Sequence, residues 1–397
     1  MSLESPQPVL QIIHVTDLHV KHITANLAQK LYAKKRRIGA RIIQNLIESH
    51  HLFGWQEGTQ GHYPRAPEAF RLFLKDLKNN DQRWFSEPGD KDSAQTWLLD
   101  TGDLTAFGDE DSIEKGKAYL ETWLKELGGV RYRALFGNHD AWPEAHPMAA
   151  ILGGFQKDVE SQRSKIYDKP EWQPLSWLKE PLSVAIPYTD SRIELYGLDT
   201  VAWSPYVNTI AAGKFPDDRF TDFRKILREQ WSKDKNRHFR ILAIHHPMCF
   251  PYQLIEKPIR LLKADKWAQE MRNDKNDPPE GFGPLVHLFL SGHTHAAYPA
   301  GKLPNSVTSI HQGLLHDYQL QLVGGPLMLN KSEKTKPVTT SSVDRSNCQA
   351  QILRFYSDKN QRGQLKMTRI PIWSQDGSKY LYVEDTETDV WMYYDTP

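Results

Sequence analysis

Cysteine is nearly absent: Cys249 and Cys348 are the only two among 397 residues. A disulfide framework needs more, so a reducing compartment is expected. An excess of one charge is missing too. Lys plus Arg number 50 and Asp plus Glu 49, a net charge of +1, whereas a dedicated nucleic-acid binder carries a strong basic excess. No apolar run approaches the roughly 20 residues that span a bilayer. Positions 1–8, which include Glu4, show no apolar stretch of the secretory kind. Internal repeats and long low-complexity tracts are also lacking. A 39% hydrophobic and 11% aromatic content excludes a compositionally disordered chain. The expectation is a cytoplasmic globular protein with a large core.

What is present is a series of short apolar runs, at 9–15, 96–99, 133–136, 182–186, 193–198, 240–244 and 286–290. Their length and bounding residues suit buried strands. Helix-like stretches lie between them. Leu27, Leu31, Ile38, Ile42 and Leu46 recur near helical spacing, and 112–127 and 218–231 are amphipathic with acidic starts. Strands alternating with helices predict an α/β layered architecture. Beyond residue 300, runs at 307–312, 318–322, 350–356 and 364–370 are strand-like. The expected organisation is a main domain over 1–300, with an insertion at about 20–95, and a β-rich part over 301–397 packed on the same domain. The polar stretches 157–173 and 330–347 read as surface connections.

Five of the apolar runs end in groups that bind metal ions. These are Asp17-Leu18-His19, Gly102-Asp103, Gly137-Asn138-His139-Asp140, His245-His246-Pro247 and Gly292-His293-Thr294-His295. Ligands of α/β sheets gather at the carboxyl ends of strands, so distant segments can converge on one site. Asp17 and His19 are two residues apart and share one side of an extended chain, as do His293 and His295. Carboxylate, amide and imidazole donors without thiolate suit Mn²⁺, Fe or Zn²⁺.

Asp-x-His, Gly-Asp, Gly-Asn-His-Asp, His-x-Pro and Gly-His-x-His, in this order, resemble the calcineurin-like metallophosphoesterase superfamily. The Gly-Asn-His-Asp and Gly-His-Thr-His forms are most similar to its cyclic-nucleotide phosphodiesterase-like branch. The resemblance covers roughly residues 10–295. It implies a four-layer fold of two facing mixed sheets flanked by helices. It implies that Asp17, His19 and His295 bind one metal ion, Asn138, His245 and His293 a second, and that Asp103 bridges both. His139 matches the catalytic histidine. The implied activity is hydrolysis of a phosphodiester, a cyclic nucleotide among the candidates, or of a phosphomonoester, by a hydroxide held between two metal ions. A small phosphorylated substrate, such as a nucleotide, is the implied partner. A nucleotide-lipid pyrophosphatase, a nuclease and a catalytically silent scaffold of the same fold are the alternatives. The protein Ser/Thr phosphatases of this superfamily follow Gly-Asp with an Asp-Arg pair. Here Leu104-Thr105 follows, which argues against phosphoprotein substrates. The long interval from His19 to Asp103 suggests an inserted helical element.

Other residues admit plainer readings. His14 and His287 lie inside apolar runs and read as structural. His246 is either a packed histidine beside a ligand or a substrate contact. Asp100 and Asp140 are candidates for orienting a histidine from behind. The basic stretch 30–41, with Lys34, Lys35, Arg36 and Arg37 at its centre, reads first as a solvated helix face. Steering of an anionic substrate and docking on an anionic membrane surface are its functional alternatives.

Overall fold

The computed structural model describes residues 6–21, 64–85, 94–106, 108–141, 180–201, 213–214, 217–233, 237–248, 261–262, 285–293, 320–325, 327–328, 349–374, 377–382 and 388–394. The helix expected over 27–46, the basic stretch 30–41, the strand expected over 307–312, the two polar connections and His295 lie outside the described residues.

Three parallel strands begin the first sheet: β1 (Gln7–Val15), β2 (Gln95–Asp100) and β3 (Arg131–Ala134). The C-terminal part completes it. Strand β11 (Ala350–Ser357) pairs antiparallel with the free side of β1, and β12 (Gln364–Trp373), β13 (Leu381–Tyr382) and β14 (Thr388–Tyr393) extend from there. The sheet order is β13-β12-β11-β1-β2-β3, with β14 also on β12. The second sheet contains β4 (Leu182–Ala185), β5 (Arg192–Gly197), β7 (Phe239–Ala243), β9 (Leu288–Ser291) and β10 (Leu320–Val323). Its order is β10-β9-β7-β5-β4, parallel except for the β4–β5 hairpin. A two-stranded pair, β6 (Gly213–Lys214) and β8 (Leu261–Leu262), stands apart.

Three apolar clusters define the layers, because alternate residues of a strand face opposite ways. Leu10 and Ile12 of β1 meet Ile193, Phe239, Leu288 and Leu322 of the second sheet, so the two sheets pack face to face. Ile13 and Val15 turn the other way, toward helices α1 (Ala66–Asn80) and α2 (Glu110–Glu126). On the far side of the second sheet, Tyr196, Leu242 and Phe289 pack on helix α3 (Asp217–Lys233) through Phe220, Phe223 and Leu227. The result is the expected α/β/β/α order.

Helix α1 falls within the expected insertion. Phe70, Phe73, Leu74 and Leu77 lie at i, i+3, i+4 and i+7, the spacing that lays one apolar face on a core. Pro67 sits in its first turn, and the Pro67 carbonyl accepts the Trp123 indole N–H of α2 at 3.0 Å. Asp109 caps α2 by accepting the Ser112 N–H at 2.9 Å. Arg71 joins the two helices, bonding Glu68 of its own helix and Glu126 of α2.

His14 and His287 are both fully buried. Burial first, then the positive charge of Arg369, lowers His14 from 6.5 to about 3, against a smaller pull from Asp17. Burial and Arg240 hold His287 well below its ordinary range. Both therefore stay neutral in the native state. The unfolded chain takes up protons below about pH 6.5, so stability falls as pH drops from 7 toward 5. His14 alone should account for about 2 kcal/mol of that loss at pH 5. Urea denaturation at both pH values checks this. His14→Gln, which cannot titrate, should remove the His14 share; an unaltered pH slope would refute the assignment.

Candidate metal centre

The parallel strands of both sheets deliver their carboxyl ends to one edge. The loops that leave them are stitched together. Asp17 N–H donates to the Gly102 carbonyl at 2.9 Å and His19 N–H to the Asp103 carbonyl at 3.0 Å. Leu135 N–H reaches the Asp100 carbonyl, and Gly292 N–H the His245 carbonyl. Other bonds cross between sheets. The His245 imidazole Nδ1 donates to the Thr101 carbonyl at 2.8 Å, and His293 N–H donates to the Asp17 carboxylate at 3.0 Å. Segments nearly 280 positions apart in sequence thus share one hydrogen-bond network.

Backbone strain is concentrated at this edge. Among the described residues, the non-glycine positions with left-handed φ are Asp17 (52°), His19 (48°), Asp103 (56°), His293 (75°) and Tyr188 (66°). Four of the five are candidate ligands. Such conformations cost of order 1–3 kcal/mol each and persist where the surroundings over-determine them. The glycines answer a different need. Gly102 has φ 107°, and a Cβ there would stand 2.7 Å from His245 Nδ1. A Cβ on Gly292 would overlap the Thr16 hydroxyl. Both positions must be bare for the loops to close on each other.

The donor atoms converge without leaving the interior. Asp17, His19, Asp103 and His245 are fully buried, Asn138 is almost so, and His293 is partly exposed. Asp103 Oδ1 is anchored by the His139 N–H at 2.8 Å. Its Oδ2 faces His245 Nε2 at 3.4 Å and the Nε2 atoms of His19 and His139 at 4.0 Å. Among the described residues, three groups of side chains could each enclose an ion: Asp17, Asp103 and His245; His19, Asp103 and His139; and His245, His246 and His293.

The His245 ring sets the electrostatics. Its Nδ1 must donate, because its partner is a carbonyl. In the neutral ring Nε2 then carries a lone pair, and it points at Asn138 Oδ1, 3.1 Å away, as well as at the Asp103 carboxylate. Acceptor facing acceptor is unfavourable unless a cation or a proton lies between. Burial, the largest single influence, would lower His245, but the charge and hydrogen bond of Asp103, the Asp17 charge and the Thr101 carbonyl together outweigh it and raise the ring to about 9. Asp103 is held well below the usual carboxylate range, since His245, His139 and His19 outweigh the effect of burial.

Supporting groups come from residues that motif reading ranked lower or passed over. Thr16 Oγ1 donates to Asp17 Oδ2 at 2.7 Å. Asp140 accepts from the backbone N–H groups of Leu104, Thr105 and Gly137 at 2.8–3.1 Å, so it clamps the loops after β2 and β3 together. Burial and the Asp103 charge raise it to about 6. Asp100 accepts the Gly102 N–H at 3.0 Å. Both carboxylates thus act on loop backbone. His139 Nδ1 lies 3.0 Å from the Ala106 carbonyl and its ring stands edge-on to His19, 4.6 Å between centroids. His246 packs against His293 at 4.4 Å, with Nδ1 2.8 Å from the Thr200 hydroxyl. The backbone carbonyls of Thr101 and Ala106 carry no sequence signal, since any residue supplies one.

Gly102→Ala combines a left-handed φ with a collision at His245. It should lower stability by about 1–3 kcal/mol, and metal uptake should fall with it. Thermal denaturation and metal analysis of the purified variant measure the two effects, and wild-type values in both would refute the reading.

The sequence matches a family model of calcineurin-like phosphoesterases over residues 10–297. No curated protein matches significantly. Similar solved structures include the calcineurin-like phosphoesterase YfkN from Bacillus subtilis, 11% identical over 99% of this chain and 93% of that one, at a TM-score of 0.36. The sulfate thiohydrolase SoxB from Thermus thermophilus is 12% identical over 98% of this chain and 57% of that one, also at 0.36. Vps29 from Chaetomium thermophilum is 8% identical over 98% and 100%, at 0.30. With well over half of its length matched, this chain belongs to the calcineurin-like phosphoesterases, a family of metal-dependent phosphoester hydrolases.

Proposed function

We propose that the converging side chains form a two-metal centre that hydrolyses a phosphodiester, with a cyclic nucleotide or a phosphomonoester as the neighbouring substrate classes. The observation that carries the proposal is the His245 imidazole, whose Nε2 is aimed at two oxygen acceptors in a buried site. The donor set fits divalent Mn, Fe or Zn. Asn138, His245 and His293 would hold one ion. Asp17 and His19, with His295, would hold the other, and Asp103 would touch both. When bound, such ions activate water near neutral pH and stabilise charge on the phosphoryl group.

The chain's own residues supply positioning and proton transfer. Thr16, Thr101 and the Asp140 clamp keep the ligands in place before any substrate arrives. Burial excludes bulk water from Asp103 and the imidazoles around it, which strengthens each charge interaction. His139 is anchored through Nδ1 on Ala106, so Nε2 is the atom left to carry a proton to the leaving oxygen. The arginine that grips phosphate in the protein phosphatases has no counterpart after Gly102-Asp103, where Leu104-Thr105 follows.

Two outcomes test the proposal. The raised His245 value means that metal uptake must expel a proton, so affinity should rise as pH climbs toward 9. Calorimetric titration with Mn²⁺ in two buffers of different ionisation heat reads that proton directly. Protein that takes up no divalent transition metal would sink the enzyme reading. His139→Ala should keep its metal content yet slow turnover by about 10²–10⁴-fold. The loss should be smaller on an aryl phosphodiester, whose leaving oxygen needs little protonation. Full activity of that variant with metal bound would remove His139 from the mechanism. A panel of aryl monoester, aryl diester, cyclic nucleotides and nucleotide-linked pyrophosphates separates the substrate classes.

A further inference from the structure

A buried polar chain runs from the C-terminal strands to the candidate metal centre. Arg369 Nε donates to Gln351 Oε1 at 2.6 Å. An arginine can only donate, so this contact settles which end of the Gln351 amide is oxygen. The Gln351 NH₂ group then faces His14 Nδ1 at 2.7 Å and donates to it. With Nδ1 accepting, neutral His14 carries its proton on Nε2, which donates to Thr101 Oγ1 at 2.9 Å. The carbonyl of the same Thr101 receives Nδ1–H of His245 at 2.8 Å. Every member is buried, Arg369 least so at 7% exposure. Each donor and acceptor along the chain has one possible polarity, set from the arginine end.

The placement in the fold adds weight. Gln351 is the register partner of His14 across β1–β11, and both lie on the face between the two sheets. A comparable chain occupies the opposite face of the same strands. There Arg354 donates to Gln11 at 2.9 Å, Gln11 to Thr96 at 3.2 Å, and Thr96 to the Trp84 carbonyl. That chain ends on a turn remote from the site. The first ends on the carbonyl that orients a metal-facing imidazole.

We propose that His14, Gln351 and Arg369 are positioning residues for His245, acting through Thr101 to hold its ring in the orientation that binds the second metal ion. This inference rests on the two-metal reading above. Groups behind a metal-bound imidazole typically change metal affinity by about 10–100-fold when lost. The expected signature is therefore selective: one ion weakens and the other does not.

The test uses the full-length protein and Mn²⁺ alone, with free Mn²⁺ followed by electron paramagnetic resonance so that two dissociation constants are resolved. His14→Leu should weaken one of the two ions by about 10-fold or more and leave the other within about 2-fold. His14→Gln keeps an acceptor oxygen toward Gln351 and a donor NH₂ toward Thr101, and should restore both constants to near wild type. Gln11→Leu removes a buried polar group from the other face of β1; it should lower the melting temperature without separating the two ions. If His14→Leu does not fold, Gln351→Met removes the donor to His14 at similar volume and carries the same expectation. Wild-type affinities in the folded variant, or equal weakening of both ions, would overturn the relay and leave only a structural role. A wild-type protein that takes up only one ion would overturn the two-metal reading, and the relay with it.

Discussion

At the meeting edge of the two sheets, one oxygen of Asp103 is tied to a backbone N–H and the other looks toward three imidazoles. Beside it, His245 turns Nε2 toward an amide oxygen. Charges and lone pairs packed this closely, away from water, repel unless a positive charge joins them. Much of the surrounding architecture can be understood as what keeps that arrangement from relaxing. Parallel strands bring the groups to one edge, the stitched loops hold them, and the Asp140 clamp ties the loops after β2 and β3. Left-handed backbone at Asp17, His19, Asp103 and His293 is strain that this network over-determines. A site preorganised in this way spends its conformational energy during folding, so little reorganisation is left for the reaction.

The candidate ligands were legible in the sequence because they sit in short, ordered motifs. Asp17, His19, Asp103, Asn138, His245 and His293 do come together, and their order along the chain follows the order of strands. What surrounds them was less legible for a physical reason. The carbonyls of Thr101 and Ala106 are backbone atoms, so composition does not encode them. Asp140 reads as a helper of some histidine, since Asp beside His often is one. Its carboxylate accepts N–H groups from loops, which only three-dimensional closure reveals. His246 lies in the imidazole cluster, against His293, and motif spacing alone could not choose between packing and contact.

For the fold, short apolar runs located the strands to within a residue or two in most cases. The third run was displaced: the strand is Arg131–Ala134, whereas the apolar residues continue to Phe136. Leu135 and Phe136 are buried because the loop toward Asn138 dives into the site, so burial there marks a functional loop. Helix α1 lies in the interval read as a helical insertion, and its 3–4 spacing of Phe and Leu could have placed it there. The C-terminal residues, read as a β-rich part on the same domain, supply β10 to the second sheet and four strands to the first.

The pairing of β1 with β11 has a consequence for synthesis. His14 meets Gln351, and Gln7 meets Ser357, so the strand that starts the catalytic network stays unpaired on one side until some 350 residues have been translated. A nascent chain must carry an exposed, strongly apolar strand edge for that whole interval. Long-range pairing of this kind slows folding and leaves edges open to wrong partners. The polar residues Gln11 and His14, embedded in an otherwise apolar β1, make such an edge less sticky while it waits. His14, a group that serves the finished site, would thus also protect the unfinished chain on the ribosome.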